Sequence, residues 1–190
     1  MINKALRVLW LYNGIFVFSG ALFGPLYAVY VQGIAANPFI ISITWAVFLL
    51  SSTLGMFFIA RVGDSIPHKE HLLMAGFLTR ALVWVLYIFV GNIYALIILQ
   101  MILGLSEAFS NPAFNSLAAE HLDKGRHIEE YSDMNIIFNL AGALATVIGG
   151  AIVAQFGFTA LFLIMAALAL VSFLGVYMQH TSVWRQKRYL

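Results

Sequence analysis

Six long apolar stretches, joined by short polar connections, dominate this chain: residues 8–31, 40–60, 71–90, 94–118, 134–156 and 159–178. Each holds about 20 residues or more, and at ~1.5 Å rise per residue a helix of that length crosses a hydrocarbon core of roughly 30 Å. Backbone polar groups in hydrocarbon must be satisfied within the segment, which makes each stretch helical. With 62% hydrophobic and 9% charged residues and a mean hydropathy of +0.92, the composition lies far from that of soluble domains. The expected fold class is therefore an all-α integral membrane protein with six transmembrane helices in one bundle spanning residues 1–190. The pI near 9.0 fits basic loops facing an anionic lipid leaflet and is no argument for nucleic acid.

The basic residues alternate between connections. Lys4 and Arg7 precede the first stretch, Arg61 and Lys69 follow the second, Lys124 and Arg126 the fourth, and Arg185, Lys187 and Arg188 the sixth. The connections after the first, third and fifth carry no charge. This pattern predicts both termini in the cytoplasm, with the cell (plasma) membrane as the expected location. Ala35-Ala36 would suit a signal cleavage site, but the apolar stretch before it is about twice the ~7–15 residues of a signal core. It reads as a retained helix. The absence of cysteine excludes disulfides and thiolate chemistry; no metal, cofactor or enzymatic activity is expected.

Two features point to internal order. Gly20 and Gly24-Pro25 in the first stretch match Gly104 and Asn111-Pro112 in the fourth, at similar depth but in opposite chain directions. That is the form of a 3+3 inverted repeat, and Gly/Pro-interrupted helices in matching halves point to a transport site, although both residues are common in membrane helices. Small and weakly polar residues also form stripes: Thr44, Phe48, Ser51 and Gly55 on the second stretch, and Asn135, Asn139, Gly142, Thr146 and Gly149 on the fifth. Such stripes let helices approach closely, and packing outweighs ligand binding as their role.

The fourth stretch carries the sharpest constellation. Gln100, Gly104, Glu107, Asn111 and Asn115 share one narrow helical arc. Against lipid this arc would be costly, so it should face the bundle interior or a cavity. Glu107 is the only acid inside any stretch, and Arg80, near the middle of the third, lies at similar depth on the neighbouring antiparallel helix. An ion pair between them either fixes helix packing or serves function, with Glu107 exchanging a proton or contacting substrate and Arg80 holding an anion. Tyr12, Phe16, Ser19, Phe23 and Tyr30 line one face of the first stretch beside Asn13, either as packing or as the wall of a pocket for an apolar or cationic solute. Asn111-Pro112-Ala113 copies an aquaporin-type triplet, yet lies inside a full span rather than on a half-helix. The Gly104-Leu105-Ser106-Glu107 run lacks a histidine base at its depth, which removes serine hydrolysis.

The connection Ala60-Arg61-Val62-Gly63-Asp64-Ser65-Ile66-Pro67-His68-Lys69 resembles the loop motif Gly-x-x-x-Asp-Arg-x-Gly-Arg-Arg/Lys of the major facilitator superfamily, keeping Asp64 and Lys69. The run from Gly104 to Ala113 is similar to the fourth helix of that family, and Phe138–Leu144 leading to Gly149-Gly150 to its fifth. The Arg that many members carry in the fourth helix is Gln100 here, and Ala145-Thr146 stands where antiporters have Gly-Pro. The resemblance covers the first half of the family's usual twelve helices. It implies secondary transport of a small solute, possible proton coupling through Glu107 with Arg80, Asn111, Gln100 and Asn13 beside it, and a cytoplasmic gate of Asp64, Lys69 and Glu120. A half-size chain leaves faces uncovered. The expected remedy is a homodimer, with Thr44, Ser51 and Gly55 of one copy against Asn139, Gly142, Thr146 and Gly149 of the other. The alternatives are an accessory or split half that needs a partner membrane protein, and a passive channel.

Overall fold

The computed structural model describes residues 4–122 and 125–183; Lys124 and the basic residues Arg185, Lys187 and Arg188 lie outside this range. Six helices follow one another: α1 (Lys4–Ala21), α2 (Leu26–Ile34), α3 (Pro38–Val62), α4 (Lys69–Tyr87), α5 (Ile93–Ala119) and α6 (His127–Val183). No strand occurs among the described residues. Local chemistry sets several of the ends. Asn37 and Asn92 cap α3 and α5, their side chains accepting from Phe39 N and Ala95 N at 2.9 Å, and Pro38 occupies the first turn of α3, where its missing N–H costs nothing.

The first apolar stretch is not one straight helix. It breaks over residues 22–25 at Gly24-Pro25, and α1 and α2 meet at 46°. Pro112, its counterpart by position, sits inside an unbroken α5. Together α1 and α2 are long and apolar enough for one bent span, and α3 with its terminal turn, α5 and α6 each qualify directly. The 19-residue α4 does not qualify by itself, although its length suffices. Glu70, His71 and Arg80 lower its hydropathy, and it is held by protein neighbours on two sides, α5 and α6.

The 57 residues of α6 would extend roughly 85 Å as one rod, far more than a bilayer. Gly157, at φ 76° and ψ 178°, interrupts it in a conformation open to glycine. The contacts of α1 show the result. Gly14 lies by Phe138 and Leu22 by Gly149, so α1 runs parallel to the first arm of α6. Ser19 donates to Met165 O at 2.9 Å and Tyr12 packs on Gly175, so it runs antiparallel to the second. The two arms are thus a hairpin around α1, matching the fifth and sixth apolar stretches.

The other seams follow the same logic of close approach. Helices α3 and α5 run parallel, with Gly55 against Ala108 and Ser51 donating to Met101 O at 2.7 Å. Helices α4 and α5 run antiparallel, with Ser106 donating to Gly76 O at 3.0 Å. Helices α1 and α5 make little direct contact, and this leaves a cleft. At Gly104 a side chain would meet backbone: its Cβ would lie 2.5 Å from Phe48 O and 2.8 Å from Ser52 N. Gly104→Ala should therefore destabilise the fold by about 1–3 kcal/mol through overpacking. Thermal melting in detergent checks this against Gly33→Ala, a site with nothing within 4 Å, which should melt like the parent.

Candidate functional site

The cleft between α1 and α5 has Arg80 of α4 at its floor. The Arg80 guanidinium pairs with the Glu107 carboxylate and lies 4.7 Å from the centre of the Phe16 ring. Both side chains are largely shielded, at 12% and 27% exposure. In such surroundings two opposite charges compensate one another where neither could be carried alone. The pair does not end the network. Asn111 donates to the other Glu107 oxygen at 3.2 Å, and Asn115 donates to Asn111 at 2.9 Å, so an amide ladder climbs α5 from the carboxylate one turn at a time.

Arg80 and Glu107 line two cavities. One, of about 230 Å³, is walled by Phe23, Tyr27, Trp45, Phe48, Trp84 and Tyr87, with Gln100 at its side. The other, of about 220 Å³, is walled by Asn13, Phe16, Asn111, Asn115 and Asn135, among others. The ion pair thus borders an aromatic compartment on one side and an amide-rich one on the other. Of the residues singled out in the sequence, Gln100 is fully buried beside the first cavity and Asn13 is buried beside the second, while Asn111 and Asn115 are exposed in the cleft. Of the aromatic face on the first apolar stretch, Phe23 and Phe16 reach cavities, but Tyr12 packs on Gly175 and Tyr30 donates to Tyr87 O at 2.8 Å. Trp84 and Tyr87 are cavity residues outside the polar arc and the aromatic face. They follow Arg80 at i+4 and i+7, one helical face, a spacing that carries the signal.

The small-residue stripes, expected between copies, make contacts within the chain in this structure. Thr44 is buried and accepts from the Tyr27 hydroxyl at 2.5 Å; Ser51 and Gly55 face α5. On the first arm of α6, Gly149 packs on Leu22, Gly142 lies beside Ala21, and Thr146 donates to Gly142 O at 3.0 Å. Asn139 alone of the set is exposed. The physical reason is that α1 and α5 already supply the close partners such residues need.

The family model of the Major Facilitator Superfamily matches residues 9–187, nearly the whole chain. The chain belongs to the Major Facilitator Superfamily. It is accordingly an integral membrane protein of a family of transporters, not an enzyme. No curated protein matches it in sequence. Within this superfamily member, the expected gate residues divide. Lys69 Nζ contacts Glu120 at 2.6 Å and Ser116 at 2.8 Å, tying the start of α4 to the end of α5. Asp64 is exposed on the rim of a cavity of about 260 Å³ that Lys69 also lines, and it forms no ion pair among the described residues. Lys69 and Glu120 thus tie α4 to α5, while Asp64 sits on the turn at Gly63–Ser65.

Removing one partner of a shielded ion pair leaves the other charge uncompensated. Arg80→Gln should lower stability by about 3–5 kcal/mol, and the Arg80→Gln/Glu107→Gln double variant should recover most of that loss. Thermal or denaturant unfolding of both variants in one detergent measures the difference.

Proposed function

We propose that this chain is a half-size secondary transporter that moves a small solute across the cell membrane by alternating access, working as a two-fold homodimer with both termini cytoplasmic. The observation that carries this reading is the ion pair between two cavities. A solute entering from either side would meet the same Arg80–Glu107 pair. A midplane site at the junction of helix repeats is where such transporters hold substrate, and a 3+3 arrangement of the helices accords with it.

Glu107 is the natural coupling group. Its carboxylate accepts from both Arg80 and Asn111. Taking up a proton removes the charge that holds Arg80, and the guanidinium is then available to solute or to a rearranged helix seam. The Asn111–Asn115 ladder supplies polar groups along the cleft on the side of the second cavity. At the Lys69 end, the Lys69–Glu120 contact would open and close with each cycle, since it joins two helices that border the cleft.

The contacts order the helices as α3, α5, cleft, α1 and the first arm of α6. The cleft is thus flanked by α3 on one side and the α6 arm on the other. Both flanks expose large apolar side chains: Leu50, Leu54 and Phe58 on α3, and Leu140, Leu144 and Val147 on α6. In a two-fold pair, α3 of one copy would lie on the α6 arm of the second and cover both clefts together. These apolar rows, with Asn139 among them, form the proposed contact. A non-identical half could cover the same face, and transport by the chain alone separates the two arrangements.

Two measurements test the proposal. In proteoliposomes, Glu107→Gln should abolish uptake driven by a pH gradient while leaving a folded protein; gradient-driven uptake by the folded variant would defeat the proton role. The chain has no cysteine, so Leu54→Cys and Leu144→Cys introduced together should yield cross-linked dimers in native membranes. A purified chain that transports as a monomer would defeat the dimer.

A further inference from the structure

The amide-lined cavity draws its polar groups from three helices: Asn13 from α1, Asn111 and Asn115 from α5, and Asn135 from the first arm of α6. Each lies inside an apolar stretch, where an amide turned to hydrocarbon is costly. Asn13 is the most telling. It is only 7% exposed, it lines the cavity, and its side chain makes no hydrogen bond among the described residues. Unlike the Trp10 and Trp84 indole nitrogens, which are sealed inside the protein, the Asn13 amide keeps accessible surface, so an occupant can reach it. Buried amides are normally satisfied, and here the partner has to come from the cavity. The other amides are exposed. Asn115 spends one N–H on Asn111, and Asn111 one on Glu107, which leaves each a second N–H and leaves the Asn115 carbonyl open. Asn135 makes no side-chain hydrogen bond among the described residues.

Charge selects against ions. Arg80 and Glu107 line the same cavity and neutralise each other. An anion meets the carboxylate and a cation meets the guanidinium, with no net attraction to offset lost hydration. A hydrocarbon leaves the amides unpaired, and a solute that only accepts leaves their carbonyls so. A hydroxyl both donates and accepts. Neighbouring hydroxyls therefore match the adjacent N–H and C=O of a carboxamide, whichever way the amide is turned. Phe16, Phe114 and Phe138 complete the lining and offer an apolar wall to C–H groups. A volume of about 220 Å³ admits a compact solute of this kind.

We propose that this cavity binds a small uncharged polyol, its neighbouring hydroxyls paired with Asn13, Asn111, Asn115 and Asn135 and its C–H groups against the phenylalanines. This deepens the transporter reading above and rests on it for the step from binding to transport.

The test uses the purified full chain in lipid nanodiscs, which keep sugar-headed detergents away from the cavity. The probes are sorbitol and myo-inositol, both neutral; gluconate and N-methylglucamine, similar to sorbitol but charged; and cyclohexanol, with a single hydroxyl. Binding is read from saturation-transfer NMR titrations and thermal stabilisation, with empty nanodiscs subtracted. At least one neutral polyol should bind ten-fold or more tightly than gluconate, N-methylglucamine and cyclohexanol. Asn13→Leu should weaken that polyol at least ten-fold, and Asn135→Ala, at an exposed position, should act in the same direction should the first variant not fold. Binding of neither polyol, as for a cavity filled by water alone, overturns the proposal. So does a charged probe or cyclohexanol binding as tightly, or a folded Asn13→Leu with unaltered polyol affinity. Polyol binding without polyol uptake in proteoliposomes upholds the site and defeats the transporter reading for this chain. Uptake of other solutes that the polyols never inhibit defeats the site and leaves that reading standing.

Discussion

Two opposite charges placed at one depth in a low-dielectric bundle have only each other for compensation, and the rest of this structure is arranged to let them meet. Arg80 and Glu107 stand on different helices, so their contact requires α4 and α5 to lie close and in register. The seam between them supplies that closeness: Gly76 faces Ser106 and Ser110, and Ser106 donates across it to Gly76 O. Lys69 and Glu120 close the same seam at one end. The ion pair is thus a register mark for α4 and α5 as well as the junction of two cavities.

Around this seam the packing obeys the rule of a medium without a hydrophobic driving force between helices: small residues and backbone-directed hydroxyls do the joining. Ser51, Ser19 and Ser106 each donate to a carbonyl on another helix. Large apolar side chains are turned outward instead, as Leu50, Phe58, Leu144 and Val147 show. The aromatic residues are the exception. Phe23, Trp84, Tyr87 and Phe162 form a buried cluster beside the first cavity, giving it stiff walls. The face left open between α1 and α5 follows from where the small residues are, because none of them draws those two helices together.

Much of the candidate site was legible in the chain. The arc from Gln100 to Asn115 repeats at helical spacing, and the depth match of Arg80 with Glu107 follows from span boundaries. The hydrogen bonds from Asn115 to Asn111 and from Asn111 to Glu107 realise that spacing directly. Asp64 follows from a motif rather than from geometry, and it forms no ion pair among the described residues, whereas Lys69 pairs with Glu120. The stripes on α3 and α6 were recognisable as packing surfaces, but their partners were not. Thr44 meets Tyr27 and Gly149 meets Leu22, contacts between segments far apart in the chain or on either side of a turn.

Uninterrupted apolar length and the need to satisfy backbone hydrogen bonds are enough to place the chain in a membrane as helices. The sequence also determines which residues cannot face lipid, because charge and amide groups are costly in hydrocarbon wherever they fall. Which helices are neighbours emerges only on packing: α3 runs beside α5, α1 sits within the α6 hairpin, and a cleft separates α1 from α5. Helical periodicity names the face of one helix, whereas adjacency is a joint property of all of them, set by which small faces can reach one another. The bond from Tyr27 to Thr44 and the seat of Gly149 on Leu22 belong to that second kind of fact.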